Sequence, residues 1–283
     1  MRLFADDTFL CSQNKDCLTL ESEVNTELEK VSRWLSANKL TLNVKKSKFM
    51  LITNKRSVTG LNLFINSSKL DSCDSYKYLG IYIDKNLSWA THIEYLCKKV
   101  AKACGGIAKL RHCVNINILK NVYYALIHSY LRYGIVVWGN ASSNVLKPLQ
   151  TIVNKALRIM TFAPFGSLNL QPMYDFLKVL NVNQLFHLEY AKFLYKFHSS
   201  LLPIPIGGYF VTDPYVNRHR YGLRSRTSNQ PARLVRKTRF AENSIQVKGP
   251  KIWEEIPDDI KESPSLSIFK RNFKGLLLSP NTS

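Results

Sequence analysis

Two adjacent carboxylates, Asp6 and Asp7, are the side chains best suited to chemistry. They lie between two short apolar runs in residues 2–11, with Phe4 and Phe9 on either side, and this pattern predicts a β-hairpin with the acids at its turn. Neighbouring strand residues point to opposite faces, so the two groups are not placed to share a proton. Mg²⁺ binds one or two protein carboxylates plus substrate phosphates, which makes a divalent cation the best-fitting ligand. An ordinary Asp-Asp-Thr turn is the alternative.

The elements that must position this hairpin follow it directly. Apolar residues recur at mostly three- and four-residue steps over 18–35, which predicts an amphipathic helix that ends at Asn38-Lys39. Three strand-like segments come next, separated by Asn, Ser and Gly turns, at residues 49–53, 61–65 and 76–84. We therefore expect a small region of about three to five strands and one helix.

The sequence changes character near Ser88 and becomes helical. Helices are predicted at residues 92–111, 118–133, 145–160, 183–199 and 265–278. Gly105-Gly106 is expected to weaken or bend the first of them. Trp253, Ile256 and Pro257 form an apolar group before the last helix.

The charge of the chain points to its class of partner. It has 40 Lys and Arg against 20 Asp and Glu, a net charge of +20 over 283 residues. Such an imbalance favours a polyanion, with nucleic acid first and an anionic membrane second, and simple solubility is the plain alternative. Residues 216–241 carry eight Lys or Arg and no acid, which predicts a flexible basic arm.

Targeting and cysteine signals are sparse. No run approaches the roughly 18 apolar residues of a membrane span, and the early acidic pair excludes a signal peptide. Six cysteines fall within the first 113 residues, which favours free thiols in a reducing compartment. We therefore expect an intracellular protein of the nucleus or cytoplasm that is not secreted and has no membrane partner.

A zinc site is a weaker interpretation of the cysteines and histidines between residues 92 and 113. No C-x₂₋₄-C pair occurs there, and Cys97 and Cys104 are spaced as core residues on one helix face. The sequence therefore favours a structural role for these thiols.

Several ordered blocks resemble one known family. Phe4-Ala5-Asp6-Asp7 resembles the (Tyr/Phe)-X-Asp-Asp box of reverse transcriptases. The blocks that follow occur in the order shown by non-LTR (LINE-type, jockey/CR1-like) retrotransposons. They are residues 34–43, 46–50, 76–84, 123–127, 131–134, 138–139, 149–150, 154–158, 223–225, 249–253, 256–257 and 269–270. The resemblance covers nearly the whole chain and implies the C-terminal part of such an enzyme, starting at the Asp-Asp box.

The resemblance implies a fold and a domain order. The fold is α+β, with a partial reverse-transcriptase palm at residues 1–88 that holds the Asp-Asp box and a primer-grip-like hairpin. A helical thumb-like region follows at 89–202. A basic, loosely ordered C-terminal extension occupies 203–283.

The resemblance also implies site residues and partners. Asp6 would bind metal with Asp7 beside it, Mg²⁺ would be the cofactor, and Lys46 would act near the triphosphate unless it is a solvated member of its lysine run. The RNA template and DNA primer or target would be the partners. Nucleic-acid contacts are predicted for Gly80, Tyr78, Tyr82, Arg132, Arg158, Arg218, Arg220, Arg224 and Arg226.

Three functional hypotheses follow. A two-metal polymerase needs a further aspartate from a preceding strand, and the family carries it upstream together with the fingers, so the isolated chain is expected to be inactive. Asp71, Asp74 and Asp84 come in the wrong order to replace it. The alternatives are a non-catalytic basic nucleic-acid-binding protein and an enzyme completed by another chain. No endonuclease or RNase H signature is present.

Overall fold

The computed structural model describes residues 2–4, 7–53, 60–164, 170–203, 206 and 244–279. The chain divides into two compact units, Met1–Thr91 and His92–Ser283. The basic segment predicted at 216–241 lies outside the described residues, as does Asp6. In the described part, no helix combines the length and the apolar character needed to cross a membrane.

Helix α1, Cys17–Ala37, organises the first unit. Asp16 caps its start by accepting a hydrogen bond from the Thr19 amide at 2.8 Å, and Asn38 ends it, as predicted. The apolar face of α1 packs on a small core whose buried members are Leu20, Leu61, Leu63, Ile65 and Leu70. The helix that the periodicity predicted is therefore the element that covers the strands.

Hydrogen bonds from α1 also hold the segment around Asn62. The Asn25 side chain donates to the Asn62 carbonyl at 3.0 Å and accepts from the Phe64 amide at 2.9 Å. Glu21 accepts from the Asn62 amide at 2.7 Å. These side chains thus satisfy backbone groups that a neighbouring strand would otherwise pair.

Eight short strands of the described part of this unit form four separate two-stranded sheets. They are β1 Arg2–Phe4, β2 Asp7–Phe9, β3 Lys48–Phe49, β4 Phe64–Ile65, β5 Ser68–Lys69, β6 Asp71–Ser72, β7 Ser75–Tyr78 and β8 Ile81–Asp84. Pairing is antiparallel for β1–β2, β4–β5 and β7–β8, and parallel for β3–β6. A short 3₁₀ turn, Val44–Lys46, precedes β3.

The strands differ from the prediction in length and number. Of 49–53 only Phe49 is in a strand, of 61–65 only Phe64–Ile65, and β5 and β6 were not predicted. A tight turn accounts for β5, since Asn66 and Ser67 have φ of 49° and 61° and reverse the chain directly after β4. The described strands therefore form local hairpins and one short parallel pair instead of one continuous sheet.

The second unit is helical. Helix α2, Ala90–Leu110, begins two residues before the unit boundary at His92. The elements that follow in the described residues are α3 Ile116–Tyr123, a π-helical segment Tyr124–His128, α4 Ser129–Arg132, α5 Ile135–Trp138, α6 Ser143–Thr161, α7 Gln171–Leu177, α8 Val182–His198, α9 Ile245–Glu254, α10 Asp258–Lys261 and α11 Leu266–Leu278. The five predicted helices are confirmed, with ends shifted by at most a few residues. Helices α7, α9 and α10 and the helical form of 135–138 were missed, and α2 continues through Gly105-Gly106.

Helix α8 is the centre of this unit. Its buried residues include Phe186 and Tyr190, and its Asn181 cap forms a reciprocal pair of hydrogen bonds with Gln184. The C-terminal helices pack on it, because the Tyr195 hydroxyl donates to the Ser263 carbonyl at 2.6 Å and Gln184 donates to the Leu277 carbonyl at 2.7 Å. Residues 244–279 are therefore part of the same helical unit.

Candidate nucleic-acid interface

The hairpin that carries the acidic pair has the predicted geometry. Strands β1 and β2 pair antiparallel, with Phe4 opposite Asp7 and Arg2 opposite Phe9. The Asp7 side chain is exposed, as are the two flanking phenylalanines. An exposed carboxylate at the end of a short hairpin is free to meet a cation or a substrate from solvent.

A ring contact joins this hairpin to the next one. The Phe9 and Tyr78 ring centroids lie 5.2 Å apart at an interplanar angle of 31°. Tyr78 ends strand β7 and is half-buried. The strand with Asp7 and the hairpin predicted to hold a primer are thus neighbours.

The second hairpin turns at Leu79-Gly80. Tyr78 pairs with Ile81, so only these two residues form the loop, and both have positive φ, 45° and 83°. Two-residue hairpin turns of this form favour glycine, which explains Gly80 by backbone conformation. Tyr78 and Tyr82 are both half-buried. Lys77, the cross-strand partner of Tyr82, places Nζ 5.7 Å from that ring centroid.

Asp84 anchors the end of this hairpin. Its carboxylate is buried and accepts hydrogen bonds from the amides of Asn86, Ser88 and Trp89 at 3.2, 3.0 and 2.7 Å, and from the Ser88 hydroxyl at 3.1 Å. The same loop holds Leu87 and Trp89 at φ of 50° and 66°. The carboxylate therefore stabilises a strained loop and is not available to a metal.

Lys46 ends the 3₁₀ turn and is exposed. The Asn43 side chain accepts from the Lys46 amide at 3.2 Å and fixes the turn. Lys45 and Lys48 are exposed as well. The structure thus presents a solvent-facing run of lysines, of which Lys46 is one member.

The arginines predicted to contact phosphate have different surroundings. Arg132 is about half exposed, and its Nε donates to Glu189 Oε1 at 2.9 Å. Arg158, on α6, is half-buried. Arg218, Arg220, Arg224 and Arg226 lie outside the described residues.

Sequence reasoning missed the surroundings of Glu189. This half-buried acid also accepts from Lys192 Nζ at 2.6 Å. The charges of Lys270 and Lys274 act on His128, and that of Lys270 also acts on Lys192. The groups come from separate helices, so no spacing in the sequence reveals them.

In the described part of the chain, no three His, Cys, Asp or Glu side chains come together as a metal-binding group. Cys104 is buried on α2, and Cys97, which lies two turns earlier on the same helix face, is half-buried. Burial raises the pKa of both thiols. These are properties of packed helix residues.

The comparisons with known proteins name one class. The chain is 28% identical over 167 residues to the RNA-directed DNA polymerase from mobile element jockey of Drosophila melanogaster. It is 25% identical over 162 residues to a probable RNA-directed DNA polymerase from transposon X-element, and 24% over 166 residues to one from transposon BS, both of the same fly. The relatives are RNA-directed DNA polymerases of mobile elements, and the resemblance found in the sequence motifs is thereby confirmed.

The similarity covers part of each protein. It includes 57% of this chain in the jockey comparison and 18% of the relative, so the aligned segment is under a fifth of that enzyme. No protein-family model and no solved structure matches the chain.

Proposed function

We propose that the chain is a segment of an RNA-directed DNA polymerase of a mobile element, with RNA template and DNA primer as its partners. The observation that carries the proposal is its similarity to the polymerases of jockey, X-element and BS. The antiparallel hairpin that presents Asp7 and the ring contact with the following hairpin support it. The net charge of +20 fits a polyanionic partner.

In this proposal Asp6 and Asp7 form the acidic site. The exposed Asp7 carboxylate is a hard oxygen donor, and Mg²⁺ is held by one or two protein carboxylates together with substrate phosphates, so the donor set fits that ion. Bound Mg²⁺ stabilises the attacking and leaving oxygens of a phosphoryl transfer. Asp7 would fix the ion beside the hairpin, and Asp6 would complete the pair.

A two-metal centre needs a further acid besides Asp6 and Asp7. Asp84 is saturated by its own loop, and Asp74 is paired with Lys85 Nζ at 2.8 Å. Both carboxylates thus already have partners within the first unit. We therefore expect the 283-residue polypeptide alone to be inactive.

Lys46 and the hairpin β7–β8 are assigned to substrate binding. An exposed ammonium group is a point charge suited to a triphosphate. Tyr78 and Tyr82 are half-buried rings of the hairpin and are assigned to stacking against a primer end, and Gly80 keeps the turn free of a side chain. Arg132 and Arg158 are assigned to the phosphate backbone.

The second candidate is a non-catalytic nucleic-acid-binding protein derived from such a polymerase. It accounts for the charge but not for the acidic hairpin, and the comparisons with polymerases do not favour it. Substitution of the acids separates the two, because a binding module works without them.

A chimera tests the proposal. The chain replaces its aligned counterpart in the jockey polymerase, and primer extension on an RNA template is measured with Mg²⁺. We expect extension by the chimera and loss of at least a hundredfold in Asp7→Asn. The matched control is Asp71→Asn, another exposed aspartate of the same unit, which should retain activity. An active Asp7→Asn chimera would refute the catalytic assignment.

A further inference from the structure

We propose that the basic side chains around Glu189 bind a phosphate group of the nucleic-acid backbone. This cluster, called here the Glu189 cluster, consists of Arg132, Lys192, Lys270, Lys274 and Glu189, with His128 beside it. The inference deepens the proposed function and rests on it. It places the phosphate contact on the helical unit.

Three parts of the unit supply the cluster. Arg132 ends α4, Glu189 and Lys192 lie one turn apart on α8, and Lys270 and Lys274 lie one turn apart on α11. Helix α11 packs along α8, and α4 packs on α8 as well. The fold therefore brings charges separated by more than 130 positions in the sequence to one place.

Charge is unbalanced in this cluster. Among the described groups, the charge of one acid, Glu189, acts on both His128 and Lys192. The charges of Arg132 and Lys270 also act on both, and the charge of Lys274 acts on His128. Four cations and a single carboxylate thus make up the cluster. Glu189 is already engaged by Arg132 Nε at 2.9 Å and by Lys192 Nζ at 2.6 Å.

The lysines of α11 have no carboxylate of their own in the described structure. Lys270 and Lys274 are spaced i, i+4, where like charges destabilise a helix. Burial lowers the pKa of Lys274, since desolvation disfavours an ammonium ion. An arrangement that costs stability in the free protein is relieved by a bound anion.

The accessible groups are all donors suited to a phosphodiester. Lys270 is exposed and Lys274 half-buried, and Arg132 is about half exposed while its Nε bonds Glu189. The other guanidinium nitrogens of Arg132 remain as donors in a fixed fork, a geometry suited to phosphate oxygens. Glu189 orients Arg132 and Lys192, so it is a positioning residue of the site.

The test measures the salt dependence of binding by the full chain. The probe is a fluorescent RNA–DNA hybrid, and the variant is Lys270→Gln/Lys274→Gln. Each lost phosphate contact lowers the slope of log affinity against log salt by about 1, so we expect a decrease of about 2. The matched control is Lys102→Gln/Lys109→Gln, which removes the same charge from two exposed positions of α2. It should change the slope by less than half as much.

A second variant separates contact from folding. Lys270→Arg/Lys274→Arg keeps the charge and should restore the wild-type slope, and circular dichroism should show both cluster variants folded. Equal slopes for the two glutamine pairs would overturn the inference while leaving nucleic-acid binding intact. Displacement of the hybrid by a nucleoside monophosphate at equal phosphate concentration would overturn it in favour of a free-phosphate site. A wild-type chain that does not bind the hybrid would overturn the proposed function as well.

Discussion

The Phe9 ring lies 5.2 Å from the Tyr78 ring, and this contact joins the strand that carries Asp7 to the hairpin β7–β8. The first strand pair is short, with three residues on each side, and an isolated two-stranded hairpin is marginally stable. Packing against a second hairpin adds some of the stability that the two-stranded hairpin lacks by itself. The position of Asp7 therefore depends on an aromatic contact outside its own hairpin.

A double-mutant cycle should detect this dependence. Phe9→Leu and Tyr78→Leu are each expected to destabilise the first unit, with a coupling energy of about 0.5–1.5 kcal/mol because tilted aromatic pairs contribute beyond buried area. Urea unfolding of the four proteins gives the coupling. Additive effects would show that the two rings do not support each other.

The buried carboxylate of Asp84 should be one of the most sensitive groups of the first unit. Asp84→Asn replaces one oxygen by an amide that cannot accept a hydrogen bond, and it leaves a loop amide at Asn86, Ser88 or Trp89 unsatisfied. We expect a loss of about 2–4 kcal/mol in the free energy of unfolding. The control Asp71→Asn, at an exposed carboxylate, should change it by less than about 0.5 kcal/mol. A wild-type midpoint for Asp84→Asn in urea would contradict this role.

Two glycines of the helical unit should respond in opposite directions. A Cβ on Gly139 would lie 2.5 Å from Phe186 Cδ2 and 2.6 Å from the Ile135 carbonyl oxygen, so Gly139→Ala forces helix α5 and α8 apart. We expect a loss of about 1–3 kcal/mol. Gly105→Ala places its methyl in open space within α2 and should stabilise the unit by about 0.5–1 kcal/mol. Thermal unfolding of both variants checks the pair, and a stabilising Gly139→Ala would show that the helices can separate at little cost.

The periodicity of the sequence predicted the long helices because each buries one continuous apolar face. Helix α6 is an example, with Leu149, Val153, Ala156, Leu157 and Met160 buried at helical spacing. Helix α7 has only seven residues, too few for a period to show, and was missed. The strands were overestimated because an apolar run such as 49–53 does not reveal that only Phe49 finds a pairing partner.

The candidate site was predictable in its local parts. The acidic hairpin and the hairpin β7–β8 could be predicted because each is formed by residues adjacent in the sequence. The two-residue turn follows from Gly80 once the pairing is known. The Glu189 cluster was not predictable, because its charges meet only after α4, α8 and α11 have packed. The saturation of Asp84 likewise depends on a loop conformation that composition does not specify.

Buried histidines should make the helical unit sensitive to acid. Burial lowers the pKa of His92 and of His128 to about 4, from a usual value of 6.5, with Arg132 adding to the effect at His128. The unfolded chain therefore binds more protons than the folded one between these values. Stability is complete above about pH 6.5, falls as the pH decreases, and levels off below about pH 4.

Replacing one of these histidines should flatten that profile. His92 packs 5.6 Å from the Trp138 ring, and His92→Phe keeps an aromatic ring there without a proton to gain. We expect its free energy of unfolding to fall less between pH 7 and pH 5 than that of the wild type, by up to about 1.4 kcal/mol per pH unit. Trp138→Phe, which disturbs the same packing without removing a titratable group, is the control and should keep the wild-type slope. Parallel pH profiles for His92→Phe and the wild type, measured by urea unfolding, would show that His92 takes up its proton in the folded state.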